Sequence, residues 1–216
     1  MRVPLYKMSV LNTWYKIPEI PRAGFVKACE GLYEVVEGRH KSKSHEDPFI
    51  KSVIIGNSNM SDSDFKKMEE ARLKQKALEM KMGDFHEELM GKFSGWETLP
   101  NGHSSEFDVR KLDDTTFIEV KNRHNTVKGS DGKHIVEKMK KLMQNGKTPI
   151  LAQINCPNGK VSRYGAPPDL QIMNGVEIYE YLSGRKTFFD DLLSTLQYTF
   201  ANYKTLASLK TALGIV

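Results

Sequence analysis

Residues 106–133 read EFDVRKLDDTTFIEVKNRHNTVKGSDGK, and the reading of this stretch decides the fold. Residues 105–112 form a candidate strand. Asp113-Asp114 makes a turn, and residues 115–122 return as a second strand. The second strand holds Thr, Phe, Ile and Val, the β-branched and aromatic types that suit a pleated surface. Side chains alternate along a strand, so Glu106, Asp108 and Arg110 are expected on one face. Glu119 and Lys121 share a face of the second strand, with Ile118 and Val120 on the other. A pairing that sets Asp108 across from Glu119 brings two carboxylates and one ammonium together. Carboxylate oxygens at that spacing suit Mg²⁺, which takes one or two carboxylates, waters and a phosphate oxygen.

Acid-x-Lys alone is a weak motif, and it occurs here at Asp64, Glu79, Glu119 and Asp131. Only Glu119-Val120-Lys121 lies on an apolar-flanked strand preceded by a hairpin partner with an Asp. Asp108, ten intervening residues and Glu119-Val120-Lys121 resemble the signature of the PD-(D/E)xK nuclease superfamily. The continuation Lys121-Asn122-Arg123-His124-Asn125-Thr126 resembles the type II restriction endonucleases that cut GGNCC-type sites. The resemblance is firm over residues 82–135 and weaker beyond, to about residue 184. Phe107 stands where the superfamily often has Pro.

The resemblance implies an α/β, restriction-endonuclease-like core with a central mixed sheet flanked by helices. It implies Mg²⁺-dependent, sequence-specific cleavage of double-stranded DNA by a homodimer, with no small-molecule cofactor. Asp108, Glu119 and Lys121 are the catalytic candidates, and Asp108, Glu119 and the Val120 carbonyl hold the metal. Asn122, Arg123, His124, Asn125, Thr126, Lys128 and Lys133 are expected against DNA. Arg163, read as lying on a strand at residues 160–164, is a candidate guanine reader with Arg123, because Arg to guanine O6 and N7 is the commonest specific contact. A structure-specific repair nuclease of the same superfamily and a non-catalytic DNA-binding protein are the competing readings.

The chain has 216 residues and a formal charge of +5. The charge is unevenly placed. Residues 121–147 hold eight Lys or Arg against two acids, a local +6, so the remainder sums to −1. Excess positive charge directly after the carboxylate strand points to a phosphate backbone lying there. No apolar run approaches the length needed to span a bilayer. The first residues lack the uninterrupted apolar core of a signal peptide, so the expectation is a cytoplasmic protein. Cys29 and Cys156 are too few for a disulfide framework and read as reduced core residues.

Residues 1–60 read as a helical and loop arm, and 61–216 as the nuclease domain. Residues 23–36 suggest a helix and 37–48 a polar loop, followed by a short apolar segment at 49–55. Residues 61–93 read as a long helix with Leu78, Met82, Phe85, Leu89 and Phe93 on its buried stripe. Two glutamates near its end could add to the metal shell. Glu88 flanks the stripe whereas Glu87 points nearly opposite, which favours Glu88. His86 reads as a hydrogen-bonded core histidine. Residues 132–145 form the next helix, 149–156 a central apolar strand, 175–182 a strand or short helix, and 188–207 a final helix.

Overall fold

The computed structural model describes residues 13–40, 45–123 and 129–215. Helix α1 (Arg22–Val36) is followed by α2 (Pro48–Ser58) and the 29-residue α3 (Asp62–Met90). Then come β1 (Trp96–Thr98), β2 (Val109–Lys111), β3 (Thr116–Arg123), α4 (Gly129–Gln144) and β4 (Thr148–Asn155). A helical turn at Pro157–Gly159 and an irregular stretch over residues 160–170 lead to β5 (Gln171–Asn174), and α5 (Gly175–Ser183), α6 (Phe188–Asn202) and α7 (Leu206–Leu213) close the described chain.

The strands form one five-stranded sheet in the order β1-β2-β3-β4-β5. The first two pairings are antiparallel and the last two parallel. The antiparallel side is the hairpin read from residues 106–133. The parallel side needs a crossover, and α4 supplies it between β3 and β4. β4 is buried from Pro149 to Ile154, as a central strand covered on both faces must be.

Each face of the sheet carries its own apolar cluster. Ile118 and Val120 pack with Phe85, Leu89, Ile150, Ile178 and α1 residues on one face. Phe117 and Leu151 pack with Ile135 and Met139 of α4 on the other. This alternation along β3 puts Glu119 and Lys121 on the α4 side. At the end of α3, a Cβ on Gly91 would stand 2.1 Å from Thr98 Oγ1 and 2.4 Å from Thr98 N. Only glycine lets the helix lie this close to β1, and that approach fixes where the last turn of α3 meets the sheet.

The N-terminal segment is part of this core. Trp14, Ile17, Ile20, Phe25 and Leu32 belong to the same cluster as Leu209 and Leu213. Helix α2 differs: none of its residues is buried, and Phe49 is 82% exposed. Ser61 caps α3 by accepting from Asp64 N at 3.1 Å, and the helix runs through Gly83 without interruption.

Three expectations fail here. The final helix is two, because Tyr203 is extended and Thr205 opens α7 with a capping box. Residues 160–164 form no strand. Cys156 is only half-buried.

Candidate active site

The hairpin pairs Val109 with Ile118 and Arg110 with Phe117, a register that sets Asp108 opposite Glu119. The first strand is shorter than the sequence suggests. Glu106 has φ +59°, a left-handed conformation that ends the extended run and takes Glu106 off the Asp108 face. The ladder therefore frays just where the acids stand. Asp108 N still donates to the Ile118 carbonyl at 3.1 Å. Two residues on along β3, Val120 N donates to the Asp108 side chain, whose Oδ2 accepts at 2.7 Å. The side chain satisfies a donor that the departing strand leaves behind. The result is a notch in the sheet with Asp108 on its rim.

Glu119 is 5% exposed, and both of its oxygens are occupied. Lys121 Nζ donates to Oε1 at 2.5 Å, and Lys138 Nζ donates to Oε2 at 2.6 Å. Sequence reasoning missed Lys138. It was one of eight basic residues in a charged segment, and only the packing of α4 on the sheet singles it out.

The end of α3 contributes Glu87. Burial pushes its carboxyl up to about 7, reinforced by the negative charges of Asp108, Asp84 and Glu119 and opposed by Lys121. Burial likewise raises Asp108 to about 6, with Glu119 adding to the rise; the Val120 N–H, Lys121 and Lys138 counter it. Glu88 does not join them. It pairs with Lys92 at 2.6 Å and lines a groove with Lys27, Glu30 and Glu34 of α1. The apolar stripe of α3 faces α1 as well as the sheet, so the residue flanking it on one side points away from the notch. His86 donates or accepts at 2.7 Å with Tyr179 Oη in the core, and burial lowers it to about 4. It is neutral at physiological pH and has a structural partner, as the sequence suggested.

The other site candidates divide. Asn122 Nδ2 donates to the Glu79 carbonyl at 3.2 Å, and Arg123 pairs with the Glu79 carboxylate at 2.6 Å. Both tie the end of β3 to α3. Arg163 turns back on its own loop, donating to the carbonyls of Pro167 at 2.6 Å and Leu170 at 3.1 Å. All of these bonds come from Nη2; the residue is exposed, as expected, but it lies in a loop and not on a strand. Lys133 is exposed on α4. His124, Asn125, Thr126 and Lys128 lie outside the described residues.

A divalent cation fits this donor set. Asp108, Glu119 and Glu87 offer hard oxygens alone, the chemistry that suits Mg²⁺, Ca²⁺ or Mn²⁺. Two of the three carboxyl groups are raised by burial among like charges, a penalty that a cation would relieve. Among the described residues no three such groups already stand in metal-binding geometry. Glu119 faces two lysines instead.

The raised groups set a pH dependence. Asp108 and Glu87 titrate near 6 and 7 in the native chain, against ordinary values of 3.8 and 4.5. The native state then holds more protons than the unfolded state across that window. Without divalent metal, stability falls as pH rises from about 4 to about 7. Thermal melts in EDTA are expected to show this decline, and Glu87→Gln is expected to flatten it. At pH 8 the variant should melt roughly 2–4 °C higher, the rise that about 1 kcal/mol gives a chain of this size. A Glu87→Gln chain that melts lower than wild type at pH 8 would show that the glutamate is a stabilising ion pair.

A mixed sheet whose antiparallel hairpin carries an Asp and a Glu-x-Lys at its frayed end defines the restriction-endonuclease-like class of α/β folds. The sequence profile of the Eco47II restriction endonuclease family matches residues 32–203, and the chain belongs to that family. It is 36% identical over 97 residues to Type II restriction enzyme Sau96I of Staphylococcus aureus, covering 45% of this chain and 36% of that protein. It is 26% identical over 160 residues to Type II restriction enzyme Eco47II of Escherichia coli, covering 64% of this chain and 65% of that protein. The matched stretches thus span about a third of one relative's length and just under two thirds of the other's. Among the described residues no helix is long and apolar enough to cross a membrane.

Proposed function

We infer that this chain is a site-specific deoxyribonuclease that hydrolyses both strands of duplex DNA with a divalent cation, Mg²⁺ being the expected one. The observation that supports it most is the meeting of Asp108, Glu119, Glu87 and Lys121 at a fray in the sheet, within a member of a restriction-endonuclease family. Asp108, Glu119, the Val120 carbonyl and Glu87 would hold the cation; Glu87 takes the place that the sequence favoured for Glu88. When bound, a divalent ion there supplies charge neutralisation at the scissile phosphate and lowers the pKa of a coordinated water. Lys121 orients the attacking water and meets the charge that develops at phosphorus. Asp108, hydrogen-bonded to the Val120 N–H, keeps the two edges of the notch together while this happens.

The basic segment holds the DNA. Asn122 and Arg123 end the strand that carries Glu119 and Lys121, and Lys133 lies on the helix after it, which supports phosphate binding beside the carboxylates. Arg163 is a weaker guanine reader than the sequence suggested, because its Nη2 already serves its own loop. Arg123 would have to leave Glu79 to reach a base. The K-N-R-H-N-T segment supports a GGNCC-type site. One notch per chain and two strands to cut support a twofold homodimer on a palindrome.

Lys133 gives a separate test of the DNA face. Lys133→Ala is expected to weaken binding to all duplexes alike and to reduce the slope of log affinity against log salt by about 0.9, one phosphate contact. Fluorescence anisotropy with Ca²⁺ in place of Mg²⁺ measures this without cleavage. A variant that instead relaxes the choice of sequence would make Lys133 a base reader. The function itself is tested by incubating the chain with a sequenced plasmid and Mg²⁺. Discrete fragments from one short duplex site support it, whereas cutting confined to branched or flapped substrates would favour a structure-specific nuclease.

A further inference from the structure

Two ammonium groups hold one buried carboxylate, and they are not equivalent. Lys121 has a side chain 29% exposed, and among the described residues Glu119 is its only hydrogen-bond partner. Lys138 has a side chain 12% exposed and three contacts. Besides Glu119 Oε2 it donates to the Glu106 carbonyl, and its Nζ lies 4.6 Å from the centroid of the Phe107 ring. The left-handed turn at Glu106 presents that carbonyl to Lys138. The feature that frays the hairpin thus also anchors the second lysine.

A divalent cation placed on either oxygen meets the positive charge of the ammonium already bound there, so its arrival favours release of one lysine. The cost of leaving is unequal. Lys121 gives up one ion pair and moves toward the open side of the notch. Lys138 would give up the ion pair, a favourable contact with an aromatic face and the hydrogen bond that satisfies Glu106. We propose that Lys138 is a positioning residue that keeps Glu119 Oε2 throughout, so that Oε1 is the oxygen that exchanges Lys121 for the divalent cation. Glu119 is thereby fixed in rotation, and Lys121 is released toward the phosphate by the same exchange. This assignment rests on the nuclease reading of the notch. It also ties the site to α4, which carries much of the basic segment, so that Lys138 links the segment proposed to face DNA to the carboxylate.

The test titrates Mn²⁺ into the full chain without DNA and reads binding by calorimetry or electron paramagnetic resonance. Wild type is expected to bind and Asp108→Ala to lose binding. Lys138→Met is expected to bind about 10-fold or more weakly, as loss of a group that orients a metal ligand does. Lys138→Arg, which can keep the ion pair, should recover most of the affinity. A folded Lys138→Met chain that binds Mn²⁺ as tightly as wild type, or more tightly, overturns the proposal, because Lys138 would then be a bystander or a plug. Wild type that binds no Mn²⁺ would instead overturn the nuclease reading beneath it. If Met at this position prevents folding, the ammonium signals of the wild-type chain decide the matter during a Ca²⁺ titration followed by ¹H–¹⁵N NMR. Persistence of the Lys138 signal while that of Lys121 changes supports the proposal. Loss of the Lys138 signal with Lys121 unchanged overturns it.

Discussion

Asp108→Ala is expected to reduce DNA cleavage by at least ~10³-fold, about 4 kcal/mol of barrier, while binding to the same duplex in Ca²⁺ stays within a few-fold of wild type. Glu119→Ala is expected to do the same. The physical reason is that both carboxylates stand at the notch, apart from the basic residues proposed to hold DNA. Asp108 has a structural duty as well, since its Oδ2 accepts from Val120 N at 2.7 Å. Asp108→Asn keeps an oxygen for that hydrogen bond and removes the charge, so it separates the two duties. A well-folded Asp108→Asn chain with near wild-type turnover would remove Asp108 from the chemistry and leave it as a strap across the frayed hairpin. Glu119 carries a different risk. Its removal strands two ammonium groups, one of them in a nearly buried position. Glu119→Gln is therefore the variant to melt beside Glu119→Ala before any loss of activity is interpreted.

Lys121→Met is the second large effect. The side chain is a third exposed and held through Glu119 alone among described hydrogen bonds, so it adds little to folding. Cleavage is expected to fall by ~10²–10³-fold, about 3–4 kcal/mol of barrier, with the melting temperature nearly unchanged. Single-turnover kinetics on a cognate duplex measures it. A rate within about tenfold of wild type, or about 1.4 kcal/mol, would make Lys121 a counter-ion to Glu119 and nothing more.

The contrast between these residues and Lys138 explains what the sequence discloses. Strand alternation has a period of two, so Asp108 opposite Glu119 and Lys121 beside it follow from the positions of Phe117, Ile118 and Val120. The turn at Asp113-Asp114 fixed the hairpin length, and β4 was legible as an apolar run. The long α3 was legible from its apolar stripe. What was hidden depends on contacts between distant segments. Lys138 reaches Glu119 only because α4 crosses over the face of β3. The choice between Glu87 and Glu88 turned on what the stripe of α3 faces. It packs against α1 as well as the sheet, which rotates Glu88 toward Lys27 and Glu87 toward Asp108. The left-handed Glu106 was also hidden, since no turn signature such as Asn-Gly marks it. Arg163 was misplaced for a related reason: its loop carries Pro167 and Pro168, whose neighbourhood needs donors for free carbonyls, and the arginine supplies them.

The central claim is that the notch cuts duplex DNA at a defined site. Mapping the ends that the wild-type chain leaves on a fully sequenced plasmid, with Mg²⁺ and then with EDTA, tests it most directly. Paired cuts on the two strands of one short palindrome, 5′-phosphate and 3′-hydroxyl ends, and no cutting in EDTA are expected. Intact plasmid in Mg²⁺ and in Mn²⁺, or cuts that persist unchanged in EDTA, would contradict it.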